Sequence, residues 1–515
     1  MVILKNRGES FMLDKYLEES ILNKATILQI ILEFQTIDIE QLAQLTEFSE
    51  KIIYQHLAEL KEEFNDLFYL KVFANTVHLD LITKINPSIC FHRIYQSSTF
   101  LHLLRYFLQE EKESFICFIQ KEYISRATGY RIRDKCLDFL KEVGLSLDRY
   151  QVIGPEYRIR FLIALLEYKF GIHLYEIKEK ELKLIYQWIR SSNAHISQEA
   201  FEAATEESRF FSILVVLMWK RKNFPVVLPA SQELEKLKTL LVYPKLITLT
   251  KKILEPALQV MFTPTDYDYL FLAYCTTPNP FSRDKWLEHD RDTALDIIMK
   301  QGMLLPLIQK FRLLFGDELI NSQPFRIVML FFMKPFICNL QSLVPNSYIF
   351  QYDHRGLFDP LYLLLSPLVK EWMKEVGLTG EVYKYHIYHV TIQLRELIYA
   401  NMAPISLYIF ASNNADVTTL KNAFSRNIPP SITRIVVIDF LNSSLHLQDH
   451  EETNIIVADQ HISTYIKSLF PDKEHILINF SMNFYDIHYQ HIYEAIYKLR
   501  KERYQEYING LKKLL

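Results

Sequence analysis

Glycine is scarce in this chain. The 515 residues include 11 glycines, where average usage of about 7% would give on the order of 36. Glycine-rich phosphate loops, propeller blades and glycine-punctuated sandwiches are disfavoured by that shortage, and a mostly helical protein is favoured. Cysteine is sparse as well. Cys90, Cys117, Cys136, Cys275 and Cys338 are dispersed, with no C-x-x-C pair and no histidine at ligand spacing. Neither a disulfide framework nor a zinc site is expected, and a reduced, cytoplasmic setting fits. Long apolar runs are lacking too: FSILVVLMW at 211–219 falls short of the roughly 20 residues that span a bilayer. The opening MVILKNRGES holds no secretory h-region, so a protein without membrane attachment is expected. No charge sign dominates, since 58 Lys+Arg stand against 61 Asp+Glu for a net −3. A polybasic binder is thereby excluded, and any nucleic-acid contact must come from a local patch. What the chain has in quantity is apolar bulk, 49% hydrophobic with 31 Tyr and 35 Phe, enough for about three to five domains with large cores.

Residues 1–90 read as a winged helix-turn-helix. A helix over Ile39–Leu45 and a three-residue turn lead into a second helix that Ser49 can cap, with Ile52, Ile53, Leu57 and Leu60 as its buried stripe. LFYLKVFANTVHLDL then alternates around an Ala-Asn-Thr turn, as a β-wing does. The pattern recurs over 91–170. Helices at 99–110 and 114–122 precede a helix capped by Ser125, with Ile132, Cys136, Leu137 and Leu140 facing inward, and a short wing ends at Ile153-Gly154-Pro155. Residues 171–285 and 286–400 read as two helical bundles cut by prolines, with their boundary near Pro278 and Pro280. Beyond Pro404 short β-branched runs (ISLYIF, TRIVVIDF, NIIVADQ, HILINF) alternate with helical text. This predicts a doubly wound α/β domain with a parallel sheet over 401–515.

The strongest electrostatic signal lies at the start of the second reading helix. Between Ser125 and Lys135 four basic residues meet one acid, Asp134. Ser125, Arg126, Thr128, Tyr130, Arg131, Arg133 and Lys135 are therefore the candidate contacts to promoter DNA, Arg131 and Arg133 first among them. In the first module Ser49 to Glu63 is net −2. Lys51, Tyr54 and Gln55 at its start are candidate contacts, and its role stays open between DNA and protein. A phosphoryl-accepting histidine needs an exposed imidazole, and His195, His386 and His389 are the candidates. No cofactor or metal is expected. In the α/β region the turn after the first strand, ASNNADVTT, has no Gly, Cys or Lys, which argues against an enzyme and for a docking or dimerisation domain.

In these parts and their order the chain resembles the Mga/AtxA-like virulence transcription regulators of Gram-positive bacteria. The resemblance rests on the tandem helix-turn-helix modules, on ISRATGYRIRDKCLDFLKEVGLSLDRYQVIGPEYRIRFLIALLEYKFG, and on DYDYLFLAYCTTPNPFSRDKW at 266–286. It implies that the two bundles are phosphotransferase-system (PTS) regulation domains and that the last domain is similar to an enzyme IIB subunit. It also implies a homodimer formed through the C-terminal region and an activator of virulence or carbohydrate-linked genes, tuned through histidines by the PTS phosphocarrier protein. Phosphotransferring IIB domains carry a Cys after their first strand, and Ala411-Ser412-Asn413 stand there instead, so phosphotransfer by this domain is not expected. Many regulation domains carry a His in the helix matching FFSILVVLMWKRK, which has none; the sites implied are His195, or His386 and His389. The alternative is a PTS-linked phosphotransfer or signalling protein that acts mainly through protein contacts.

Overall fold

The computed structural model describes residues 13–82, 86–192, 205–277, 285–300, 302–345, 359–411, 414–439, 454–469, 475–481 and 485–513. They fall into two units, Met1–Arg312 with Ile320–Val390, and Leu313–Leu319 with Thr391–Leu515.

In the first unit the N-terminal module is α1 (Glu19–Phe34), β1 (Thr36–Asp38), α2 (Ile39–Thr46), α3 (Glu50–Glu63), β2 (Phe68–Phe73) and β3 (Thr76–Leu81). Its antiparallel sheet has the order β1-β3-β2. The wing reverses through Ala74 and Asn75, both left-handed (φ 47° and 65°), which is the two-residue turn whose twist suits a hairpin. On α3 the buried stripe is Ile53, His56, Leu57 and Leu60. The expected Ile52 is exposed, one step round the helix from the apolar face, and His56 is buried instead beside Glu59 at 3.2 Å.

The second module is α4 (Pro87–Tyr95), α5 (Thr99–Leu108), α6 (Phe115–Lys121), α7 (Arg126–Glu142) and a wing of β4 (Ser146–Asp148) and β5 (Gln151–Ile153). Next comes α8 (Glu156–Phe170), in which every one of the 15 residues is buried. It packs on α4 and on the bundle helix Thr205–Lys220, so two parts of the unit share it as core. Glu156, Arg160 and Lys169 of α8 survive burial because they are ion-paired, and Arg158 because it donates to backbone carbonyls. Glu156 accepts from Arg160 at 2.9 Å and from Arg221 at 2.6 Å, and Lys169 donates to Asp14 at 3.0 Å. Gly171 ends the helix at φ 65°. A Cβ there would stand 2.6 Å from His92 of α4, so the close approach requires glycine as much as the turn does.

The rest of this unit is helical. Helices Glu179–Ser192, Thr205–Lys220, Val242–Leu249 and Pro264–Thr276 enclose Trp188, Phe211 and Tyr269. Beyond them, Gln323–Met333, a 3₁₀ segment Lys334–Asn339, and Pro360–Glu375 enclose Phe325, Phe332 and Trp372.

The second unit carries four parallel strands, β6 (Ile405–Ala411), β7 (Thr433–Asp439), β8 (Ile455–Ala458) and β9 (Ile476–Asn479), in the order β7-β6-β8-β9. Along β6 alternate residues serve opposite faces. Ile405, Leu407 and Ile409 meet Phe424 and Ile496 from helices Asn414–Asn427 and Tyr485–Leu511. Tyr408 and Phe410 meet Ile462 and Ile466 from helix Gln460–Leu469. Both faces are covered and strand order reverses at β6, as in a doubly wound sheet. Strands and helices stand where the alternation predicts them.

Candidate nucleic-acid interface

The second module builds its reading helix from a tight helix-turn-helix. Ser114 and Ser125 cap α6 and α7, the Ser125 hydroxyl accepting from the Thr128 amide at 3.1 Å. α6 and α7 close on each other at Gly129, where an added Cβ would lie 2.7 Å from Ile119. Cys136, Phe139 and Leu140 hold the inner face of α7. Ile132 and Leu137, expected there, are only half-buried. Phe139 takes the central place because Tyr16 and Phe100, remote in sequence, pack their rings against it at 5.8 and 6.3 Å.

The outward face then carries the charge. Ser125, Arg126, Tyr130, Arg131, Asp134 and Lys135 are exposed, while Thr128 and Arg133 are half-buried. Among the described residues Arg126, Arg131 and Lys135 make no ion pair. Arg133 differs: its guanidinium bonds Asp134 at 2.8 Å and lies over the Tyr130 ring at 4.8 Å. Asp134 therefore neutralises Arg133 first, which leaves the other three cations to face solvent.

The wing adds a residue that the sequence reading did not single out. Arg149 and Tyr150 form its turn, both left-handed (φ 45° and 66°); Tyr150 packs inward on Phe115 at 5.0 Å, and Arg149 is exposed at the tip. The polar Asp-Arg-Tyr-Gln stretch between Leu147 and Val152 is the turn signal that could have marked it. Lys112 holds this wing in place, donating to the carbonyls of Tyr150 at 2.7 Å and Phe107 at 3.2 Å. Burial pushes its ammonium down to about 8.

The first module presents a different surface. Lys51 is exposed, but the Tyr54 hydroxyl donates to Asn75 of the wing at 3.0 Å and the Gln55 amide to Glu59 at 3.0 Å, so two of its three candidates are occupied within the module. Its wing exposes Tyr69, Val72 and Phe73, an apolar face unlike the cationic one of α7.

The histidines separate as clearly. His195 lies outside the described residues. His386 is not the exposed imidazole expected of it. Its Nε2 donates to the Phe332 carbonyl at 2.7 Å, its ring stacks on Phe332 at 5.0 Å, and removal from water pushes its pKa down to about 4. His389 is half-buried, and burial lowers it also. Among the described residues no cluster of His, Cys, Asp and Glu is arranged to hold a metal ion, and no helix is long and apolar enough to cross a membrane.

Comparison with known families agrees with this layout. Residues 85–166 match the Mga helix-turn-helix domain, and residues 187–397 match the PRD domain of the M protein trans-acting positive regulator (MGA). No curated protein matches the chain. The first match contains α4 to β5 and most of α8, with the whole cationic face of α7 inside it; the second spans most of the remaining helices of the first unit. Two Mga-type models in their proper order cover more than half of the sequence, and the chain belongs to the Mga/AtxA-like family of transcription regulators.

Proposed function

We propose that the second winged helix is the principal DNA reader, with the first turns of α7 set in the major groove and Arg149 reaching the flanking backbone. The observation that carries this reading is the exposed trio Arg126, Arg131 and Lys135, unpaired among the described residues on a capped helix. Ser125, Thr128, Tyr130 and Arg133 complete the contact surface. The trio can neutralise phosphates or meet guanine edges, while the protein's overall charge offers no attraction of its own. The test is a gel shift of the full chain across salt concentrations. Arg126→Ala with Arg131→Ala is expected to weaken duplex binding by at least about tenfold and to reduce the salt slope by about 2. Retention equal to that of the parent would overturn the assignment of the helix.

The same reading makes the protein a cytoplasmic activator of virulence or carbohydrate-linked genes, with no enzymatic step. Its helical bundles answer to the PTS phosphocarrier protein, and it works as a homodimer joined through the enzyme IIB-like C-terminal domain. His195 and the half-buried His389 are the proposed phosphoryl acceptors. Incubation with phosphoenolpyruvate and the phosphocarrier system should place an acid-labile phosphate on one of them, and absence of label after complete phosphorylation of the phosphocarrier would rule both out. For the first module a second reading is favoured by the acidic α3 and the exposed Tyr69, Val72 and Phe73: contact with protein, with Lys51, Tyr54 and Gln55 contributing little to DNA. Lys51→Ala leaving duplex affinity within about twofold of the parent would support it, and a larger loss would return α3 to the DNA surface.

A further inference from the structure

α7 ends where three segments of the first unit converge. Its last carbonyls have no partner within the helix, as at any helix C-terminus, and the one at the C-cap, Val143, accepts from Arg158 Nη1 at 2.9 Å. The same guanidinium turns its Nη2 to two further carbonyls, those of Cys338 at 3.1 Å and Asn339 at 3.0 Å. Those two residues close the 3₁₀ segment behind helix Gln323–Met333, and both are left-handed (φ 54° and 59°). Non-glycine residues seldom hold that conformation, so the surrounding structure must impose it. Here it aims consecutive carbonyls at one buried cation.

The backbones on either side are just as close. A Cβ on Gly144 would meet the Arg158 guanidinium at 3.2 Å, and one on Gly380 would stand 3.1 Å from the Glu142 carbonyl and 2.6 Å from the Ser342 hydroxyl. The far side of the seam is braced in turn. Gln341 donates to the Thr379 carbonyl at 2.7 Å, and Phe336 of the 3₁₀ segment packs on Trp372 at 5.1 Å and on His386 at 5.6 Å.

We infer that Arg158 is a positioning residue that couples the segment 334–344 of the second bundle to the reading helix, so that the state of that bundle sets the orientation in which α7 meets DNA. The inference rests on α7 being the DNA reader. A planar guanidinium suits the task, because it can satisfy three carbonyls at once only when both segments are in place, and a movement of either breaks the set. The 17-residue helix carries such a movement to Arg126 and Arg131 at its other end.

Amide hydrogen exchange on the full chain tests this, for the parent, Arg158→Met and Arg158→Lys, with and without a mixed-sequence duplex of about 30 base pairs at low salt. In the parent the duplex should slow exchange by at least about twofold at 126–142 and also at 337–344. Arg158→Met should keep the response at 126–142 and lose it at 337–344, and Arg158→Lys, which retains a donor, should recover part of it. A response at 337–344 that survives Arg158→Met overturns the coupling, as does a parent whose duplex leaves 337–344 unchanged. A parent that binds the duplex with no response at 126–142 instead overturns the reading of α7. The seam itself is then judged in the free protein. There Arg158→Met should speed exchange at 140–145 by about tenfold while leaving α5 protected, and equal exchange at 140–145 overturns the contact's role.

Discussion

His386 shows how one side chain changes meaning once its neighbours are known. From the sequence it is one of two histidines three residues apart on a helix, and its ring is in fact held by the Phe332 carbonyl and two phenylalanine rings. The neutral form is the one that fits, so the folded-state pKa near 4 lies below the ordinary 6.5. Between those values the unfolded chain holds a proton that the folded chain does not, and stability therefore falls as pH drops from 6.5 towards 4. Discounted for the part of the ring that water reaches, the loss between pH 7 and pH 5 should be roughly 1–2 kcal/mol in urea unfolding of the second bundle. His386→Asn, which keeps a donor for the Phe332 carbonyl, should flatten that dependence; an equally steep fall in the variant would show that other groups cause it. Ser125 was legible from sequence alone because a cap and its helix are neighbours in the chain. Phe139 was not, because the rings that bury it belong to Tyr16 and Phe100.

At the scale of elements the same contrast decides what could be read. The reading helices, the wings and the four parallel strands follow local periods of 3.6 and 2, and each appears where that period places it. α8 does not. Its opening, Glu-Tyr-Arg-Ile-Arg, alternates polar with apolar like a strand end, and its charges suggest a solvent face; every residue is nevertheless buried because Asp14 ahead of α1 neutralises Lys169, Arg221 at the end of the Thr205–Lys220 helix neutralises Glu156, and Arg158 donates to backbone carbonyls. The wing of the second module carries a prediction of its own. Arg149 stands at the tip in a left-handed turn, so Arg149→Ala should lower duplex affinity about two- to fivefold and reduce the salt slope by about 1, leaving the fold intact. Unaltered binding in a gel shift would remove the wing from the contact surface.

For the whole molecule, the proposed dimer is the next element to test. In the second unit helix Tyr485–Leu511 buries Ile492, Ile496 and Leu499 against the sheet and exposes Tyr493 and Tyr497, 54% and 69% accessible, on its outer side. Two exposed tyrosines four apart lie on one face of the helix, and in the proposed dimer this is the surface offered to a second copy. Sedimentation equilibrium should find a dimer for the parent and at least about tenfold weaker association for Tyr493→Ser with Tyr497→Ser. Unchanged association would place the dimer contact elsewhere. The order of parts along the chain was legible because composition and period change at their borders. Which of them share a core was not, since that depends on contacts between distant segments.

The burial of α8 on all sides has one more consequence, for how the chain can be divided. The helix fills the interior below α4 and equally the interior beside Thr205–Lys220. A cut before Glu156 strips the DNA-binding half of its floor, and a cut after Gly171 leaves the bundle half with an empty slot. In each case the fragment that keeps α8 would expose part of Phe161, Leu162, Leu165 and Leu166, all fully buried in the intact protein, and the fragment that loses it would be left with an open apolar hollow. Here two neighbours hold one helix in common, and neither half can be excised without taking the other's core with it.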